Sequence, residues 1–147
     1  MCSSDLGAEV AAIVRLLAEE FPQAEAYLSF TAQTESAISD GTPIKEVGLL
    51  AQFSSQVLAV GFNCTAPHLI APLLEKIRQV CDKPLLTYPN SGEIYNGVTN
   101  TWHDDSKQDK NLLENSKLWR EQGVQLFGGC CRTRPEDIKQ LASSLRN

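Results

Sequence analysis

The sequence of 147 residues predicts an α/β protein in which parallel strands alternate with helices. Short apolar runs typical of strands alternate along the chain with longer segments whose apolar residues recur at helical spacing. Each predicted strand is followed by a helix, and a helical crossover of this kind makes neighbouring strands parallel and the connection right-handed. Polar and cysteine-containing motifs come directly after the strands, at the edge where α/β proteins carry their active sites.

The expected elements follow from apolar periodicity and from the turn residues between them. In chain order they are a helix over 7–20, a strand over 26–30, a helix over 43–54, a strand over 57–62, a helix over 67–81, a strand over 85–88, a loop over 89–106, a helix over 107–122, a strand over 124–127 and a helix over 135–145. Pro22 stops the first helix. Thr42 is the expected N-cap of the second helix, with Pro43 at its first helical position, and Gly123 is the expected C-cap before the last strand.

Composition and charge limit which partners and which cellular location we expect for this protein. The 13 basic and 18 acidic residues give a net charge of −5 without any basic run, so we expect no nucleic-acid partner. The apolar runs are too short to cross a bilayer, and the N-terminus lacks the pattern of a secretion signal, so we expect a cytoplasmic protein without a membrane partner. Residues 7–147 form one predicted domain, and residues 1–6 do not fit the periodic pattern and are interpreted as an extraneous leader.

Three of the five cysteines stand out because they follow strands. Cys64 ends one apolar run, and Cys130 and Cys131 follow the last one after two glycines. An odd number of cysteines favours reduced thiols or metal ligands over a disulfide framework. Three protein ligands leave a tetrahedral zinc ion with one position for a substrate. Cys81 is interpreted as a small apolar core residue.

The adjacent pair raises a geometric question. Consecutive side chains of a strand point to opposite faces, so Cys130 and Cys131 can face one point only if the chain turns. Gly128 and Gly129 permit backbone angles that other residues avoid, and so permit this turn. A packed strand end stays open as an alternative, and a redox pair is the weaker one because a disulfide between neighbours closes a strained eight-membered ring.

Several motifs in the same order resemble one known family. They are residues 61–65 (Gly-Phe-Asn-Cys-Thr), 88–93 (Tyr-Pro-Asn-Ser-Gly-Glu) with Tyr95, and 128–133 (Gly-Gly-Cys-Cys-Arg-Thr) with Pro135 and Ile138. The set resembles the zinc-dependent homocysteine S-methyltransferase family, in particular the branch that uses S-methylmethionine or S-adenosylmethionine as methyl donor. Residues 29–31 and 39–43 are also similar to that branch. The resemblance runs from about Gly7 to the C-terminus.

The resemblance implies a fold, a metal and a reaction. The fold would be a (β/α)8 TIM barrel, of which this chain is the C-terminal half, and Cys64, Cys130 and Cys131 would hold Zn²⁺ at the ends of its strands. The small-molecule partners would be homocysteine and a methyl-sulfonium donor, and the product would be methionine. A zinc ion would keep the homocysteine sulfur deprotonated for attack on the donor methyl group. The identity of the methyl donor and the oligomeric state stay open.

Polar residues near the same strand ends are candidates for substrate contacts. These are Asn63, Asn90, Ser91 and Glu93, with a loop-capping role as the alternative for each. Trp102 is a candidate for a cation–π contact with the donor sulfonium, with a packed loop aromatic as its alternative. His103 lies beside two aspartates and is interpreted as solvated surface.

Length is where the sequence departs from the family. A closed barrel needs about 250 residues, and this chain contains four strand–helix units preceded by a lone helix. The acidic residues that hold the homocysteine amino group in the family have no counterpart here. We therefore expect a chain that is weakly active or inactive alone, with a catalytically incomplete zinc-binding half barrel that needs its N-terminal half as the alternative function. A thiol-redox protein built on Cys130 and Cys131 is a further alternative.

Overall fold

The computed structural model describes residues 6–96, 98–103 and 112–145. Its elements in chain order are α1 (Leu6–Glu20), β1 (Ala26–Phe30), α2 (Ile44–Phe53), β2 (Val57–Asn63), α3 (Pro67–Arg78), β3 (Leu85–Tyr88), β4 (Ile94–Asn96), β5 (Thr101–His103), α4 (Leu112–Glu121), β6 (Val124–Phe127) and α5 (Pro135–Leu145). Residues 1–5 of the predicted leader lie outside the described residues, while Leu6 opens α1. The predicted domain bounds stay a prediction.

Four parallel strands form the main sheet in the order β1-β2-β3-β6. The register aligns Phe30 with Phe62 across β1 and β2, and Asn63 with Tyr88 across β2 and β3. Since all four strands run the same way, their carboxyl ends share one edge of the sheet. The predicted α/β class, with four parallel strands alternating with helices as in half a (β/α)8 barrel, is confirmed.

The hydrophobic core lies between this sheet and its helices. Phe30, Val60 and Phe62 on the strands meet Leu73 and Ile77 of α3, and these five side chains are at most 5% exposed. Burial of each such side chain stabilises the fold by about 2–3 kcal/mol relative to its exposed state. Cys81 belongs to the same cluster at 1% exposure, which confirms its interpretation as a core residue. The helices therefore hold one face of the sheet and fix where the strands end.

The other face of the sheet is open among the described residues. Side chains alternate along a strand, so Tyr27 and Leu126 point away from the helices, and they are 62% and 51% exposed. A groove of about 440 Å³ on this face is lined by Tyr27, Leu86, Tyr88, Leu126, Phe127, Gly128 and Gly129. In the described part of the chain, β1 and β6 each pair on one side, as edge strands do. A half barrel leaves the apolar inner face of its sheet exposed in this way.

Three local predictions need correction. The loop predicted after β3 contains an antiparallel hairpin, in which Tyr95 of β4 pairs with Trp102 of β5. Thr42 does not cap α2, because its hydroxyl donates a hydrogen bond to the Asp40 carboxylate at 2.9 Å. The N-cap position is Pro43, which forms no side-chain capping bond. Helix α3 ends at Arg78 rather than at residue 81.

The end of α4 follows the prediction. Gly123 takes φ +97°, a left-handed angle that favours glycine at a helix end. The predicted first turn of this helix, residues 107–111, lies outside the described residues. No helix in the described ranges is both long and apolar enough to cross a membrane.

Candidate metal centre

The ends of β2 and β6 bring three cysteine sulfurs to one place. The Sγ atoms of Cys64, Cys130 and Cys131 all lie within 4.8 Å of one another, and each residue is half-buried. β3 lies between the two strands that carry them, so the cysteines meet across its carboxyl end. This juxtaposition is the one that the resemblance of the sequence motifs implied.

Cys64 is placed by a sharp turn directly after β2. Its φ of +47° lies in the left-handed region, which is uncommon for a residue other than glycine. The next residue, Thr65, is fully buried and holds the turn: its Oγ1 accepts a hydrogen bond from the Ala32 N–H at 3.0 Å and donates one to the Asn63 carbonyl at 2.9 Å. The backbone strain at Cys64 is therefore offset by hydrogen bonds that link β1 to β2.

The Cys130–Cys131 turn is built differently from the prediction. Neither Gly128 nor Gly129 has a left-handed φ, whereas Arg132 does, at +66°. Gly129 is required for space instead, since a Cβ there would clash with the Thr133 side chain. The Thr133 hydroxyl donates a hydrogen bond to the Cys130 carbonyl at 2.5 Å and closes the turn. Both sulfurs thus face the same side, 4.0 Å apart.

Cys64 and Cys130 are joined as a disulfide across 66 residues of sequence. The sequence favoured reduced thiols, and the structure differs at this pair because the fold brings the two Cα atoms to 5.5 Å, within the range that a disulfide spans. Cys131 is free. All three sulfurs are available as metal ligands only in the reduced state, since a thiolate and not a disulfide binds the metal.

Hydrogen bonds tie the loop after β3 to both cysteine turns. The side-chain amide of Asn90 donates to the Cys64 carbonyl at 3.1 Å. On the other side, the Cys130 N–H donates to the Pro89 carbonyl at 2.8 Å, and the Ser91 N–H donates to the Cys131 carbonyl at 3.0 Å. The loop after β3 therefore holds the two halves of the cysteine cluster together.

The four predicted substrate-contact residues all lie at this edge, half-buried. Asn63 is engaged with β1, since its Oδ1 accepts a hydrogen bond from the Ser29 hydroxyl at 2.8 Å. The Oδ1 of Asn90 is buried and has no hydrogen-bond partner among the described residues. A buried acceptor of this kind is costly without a donor, so it is the atom of this set best suited to a ligand.

Glu93 forms an ion pair with Arg132, a residue for which the sequence motifs predicted no role. Its carboxylate accepts hydrogen bonds from Arg132 Nε at 2.5 Å and from Arg132 Nη2 at 3.3 Å. The hydrogen bond to Glu93, and then the attraction between the two charges, raise the pKa of the Arg132 guanidinium. Arg132 directly follows the cysteine pair, and this position was the sequence feature that could have identified it as part of the site.

Trp102 and His103 lie on β5 of the hairpin. His103 is exposed, and its Nε2 is 2.9 Å from the Thr101 hydroxyl, which agrees with its interpretation as surface. Trp102 is half-buried in the hairpin opposite Tyr95. Its contact with a donor sulfonium stays a prediction.

Comparisons with known proteins identify the family to which this chain belongs. The sequence model of the homocysteine S-methyltransferase family matches residues 5–145. Homocysteine S-methyltransferase YbgG of Bacillus subtilis (strain 168) is 40% identical over 139 residues, which are 95% of this chain and 44% of that protein.

Solved structures that are similar to this chain include members of the same family. The metallated form of the homocysteine methyltransferase MmuM from Escherichia coli superposes with a TM-score of 0.76 at 34% identity, covering 95% of this chain and 41% of that one. The oxidized form of the same protein gives a TM-score of 0.77 at 34% identity, covering 93% and 41%. The chain belongs to the homocysteine S-methyltransferase family, and it spans less than half the length of the relatives it matches.

The residues present fit a metal ion by their chemistry. Three cysteine sulfurs converge on one point, and soft thiolate ligands of this kind suit zinc. Hydrogen bonds from neighbouring loops hold the backbone around Cys64, Cys130 and Cys131, which is the outer support that metal sites require.

Proposed function

We propose that this chain carries the zinc-binding part of an enzyme that transfers a methyl group from a sulfonium donor to homocysteine, forming methionine. The observation that supports it most directly is the cluster of three sulfurs within 4.8 Å at the strand ends of a chain in this family. The donor is S-methylmethionine or S-adenosylmethionine, by the resemblance of the motifs. Homocysteine and this donor are the small-molecule partners, and the location is the cytoplasm.

Cys64, Cys130 and Cys131 would hold the ion as thiolates. A zinc ion bound there would leave a coordination position for the homocysteine sulfur and lower its pKa, so that it stays deprotonated near neutral pH. Because the proton is already lost, the protein needs no general base for the transfer. In that transfer a new bond forms between the homocysteine sulfur and the methyl carbon, and the bond from carbon to the donor sulfonium breaks, leaving the donor as a neutral thioether.

The polar residues of the same edge would orient the amino-acid ends of the substrates. Asn90 is the strongest of these, since its buried Oδ1 has no partner in the described part of the chain and suits an ammonium group. Asn63 and Ser91 lie beside it on β2 and on the loop after β3. Glu93 is a weaker substrate contact because its carboxylate already pairs with Arg132.

Replacement of one ligand tests this function. The reduced chain should bind one zinc ion, and Cys130→Ala should lose most of that binding. Cys81→Ala is the matched control, because Cys81 is a buried cysteine outside the cluster. Equal zinc content in wild type and Cys130→Ala would contradict the proposal. In a protein extended by the N-terminal half of the family, Cys130→Ala should also abolish methionine formation.

A second candidate function is a non-catalytic half barrel that acts only with the remaining half. The open inner face supports it, with Tyr27 at 62% and Leu126 at 51% exposure, as does the length, less than half that of the relatives. Size-exclusion chromatography with light scattering tests it. Association or precipitation of the 147-residue chain is expected, and a stable folded monomer that forms methionine would contradict it.

A further inference from the structure

The turn that carries Cys131 is attached to the loop after β3 by more than backbone hydrogen bonds. The Ser91 N–H donates to the Cys131 carbonyl at 3.0 Å, and the next residue, Arg132, forms a two-point ion pair with Glu93. The Ser91 hydroxyl also donates to the Glu93 carboxylate at 3.4 Å. Cys131 is therefore held on its C-terminal side, through its own carbonyl and through Arg132, by a segment in which Glu93 lies 39 residues before Arg132.

Arg132 occupies a backbone position that would favour glycine. Its φ of +66° lies in the left-handed region, where glycine is the least strained residue. An arginine at this position brings a planar group with several N–H donors that matches a carboxylate at two points. The two contacts at 2.5 and 3.3 Å fix the direction in which the chain leaves Cys131.

The pair is too exposed to hold the fold together. The side chains of Arg132 and Glu93 are 49% and 24% exposed, and water screens a pair of this kind strongly. Its effect must then be local. The atom that it can displace most is the Cys131 sulfur, because Cys131 is the residue next to Arg132 in the chain.

We propose that the Glu93–Arg132 ion pair is a positioning device that keeps the Cys131 sulfur facing Cys64 and Cys130, in the place from which it binds the metal. This inference rests on the proposed metal site. Outer partners that orient metal ligands typically change metal affinity by about 10- to 100-fold when they are removed. The role differs from a substrate contact by Glu93, which would change the KM for homocysteine and leave metal affinity unchanged.

Metal affinity of the reduced full chain is the first measurement. Arg132→Gln and Glu93→Gln should each weaken zinc binding about tenfold, measured by competition with a chromophoric chelator. The double variant should be no weaker than the weaker single variant, because both changes break one interaction. Arg15→Gln is the matched control: Arg15 pairs with Glu19 at 2.7 Å on an exposed helix face, far along the chain from the cysteines.

The reactivity of Cys131 is a second measurement that needs no metal. In the chain with Cys64 and Cys130 disulfide-bonded, alkylation of Cys131, followed by peptide mass spectrometry, should be several-fold faster in Arg132→Gln than in wild type or Arg15→Gln. Arg132→Lys should give an intermediate rate, since it keeps the charge and loses the two-point contact.

The outcomes separate this inference from the function it rests on. Unchanged zinc affinity in both single variants, or unchanged Cys131 reactivity, would overturn the positioning role while the zinc site stands. Failure of the reduced wild type to bind zinc, combined with faster alkylation in Arg132→Gln, would overturn the proposed function and support the positioning of Cys131. If the variants that lose zinc affinity also unfold at a correspondingly lower temperature, the ion pair is a general contact of the fold, and the proposal is contradicted.

Discussion

Asn90 and Cys64 are joined by a hydrogen bond of 3.1 Å from the side-chain amide of Asn90 to the Cys64 carbonyl. Cys64 has a left-handed backbone, and the carbonyl that Asn90 holds is the one that leaves this strained position. The bond links the loop after β3 to the turn after β2, and so connects an asparagine proposed to contact substrate with a proposed metal ligand.

Asn90→Ala should weaken both stability and zinc binding. Loss of the hydrogen bond should cost about 1 kcal/mol in the free energy of unfolding, and zinc affinity should fall because the Cys64 turn is less constrained. Urea denaturation and chelator competition measure the two effects. Asn96→Ala is the control, since Asn96 accepts hydrogen bonds within the hairpin turn, and unchanged zinc affinity is expected there. Equal zinc affinity in both variants would contradict the link.

Thr65→Val should destabilise the fold although the two side chains have nearly the same shape. The hydroxyl of Thr65 is fully buried and satisfies the Ala32 N–H and the Asn63 carbonyl, and valine leaves both without it. The expected loss is about 1–3 kcal/mol in the free energy of unfolding. Thr101→Val on the exposed hairpin should change it by less than about 0.5 kcal/mol. A loss at residue 65 no larger than at residue 101 would show that the buried hydroxyl is dispensable.

Gly129→Ala should disturb the cysteine turn without disturbing the core. The added Cβ would clash with the Thr133 side chain, whereas one on Gly128 would meet Tyr88 Cβ at 3.1 Å. Zinc affinity should therefore fall more in Gly129→Ala than in Gly128→Ala. Far-ultraviolet circular dichroism should stay unchanged in both. The reverse order of affinities would mean that the turn does not depend on space at residue 129.

Leu126→Ser should improve solubility at little cost in stability. Leu126 is 51% exposed on the open face of the sheet, so its replacement removes apolar surface from water contact and leaves the core intact. Leu73→Ala in the buried core should instead cost about 2–5 kcal/mol. Light scattering and urea denaturation distinguish the two. Undiminished association of Leu126→Ser would mean that other surfaces hold the copies together.

The parts of the fold that depend on apolar pattern followed from the sequence. β1, β3 and β6 have the predicted bounds, because each is a short apolar run between turn residues. The hairpin of β4 and β5 did not, because its strands are three residues long and lie in a polar stretch with no sustained alternation. Thr42 was misassigned as a cap because Asp40 competes for its hydroxyl, a contact that spacing alone does not reveal.

The juxtaposition of the three cysteines could be expected from the sequence, whereas the contacts that support it could not. The cysteines follow strands, but strand order was open, and the resemblance of the motifs to the family supplied the expectation that the three meet. The Glu93–Arg132 pair joins residues 39 positions apart, and each is ordinary as a surface charge in the sequence. The left-handed backbone at Cys64 was likewise hidden, since cysteine is not a residue that marks such a position.

The cysteine cluster is assembled from β2, β6 and the loop after β3 alone, all within this half of a barrel. The proposed ligands and the hydrogen bonds around them therefore lie together in one contiguous stretch of the chain. A recombination event that joined this stretch to a different first half would transfer the thiol cluster intact. Under the proposed function, such an exchange would alter the rest of the substrate pocket and leave the proposed metal ligands in place.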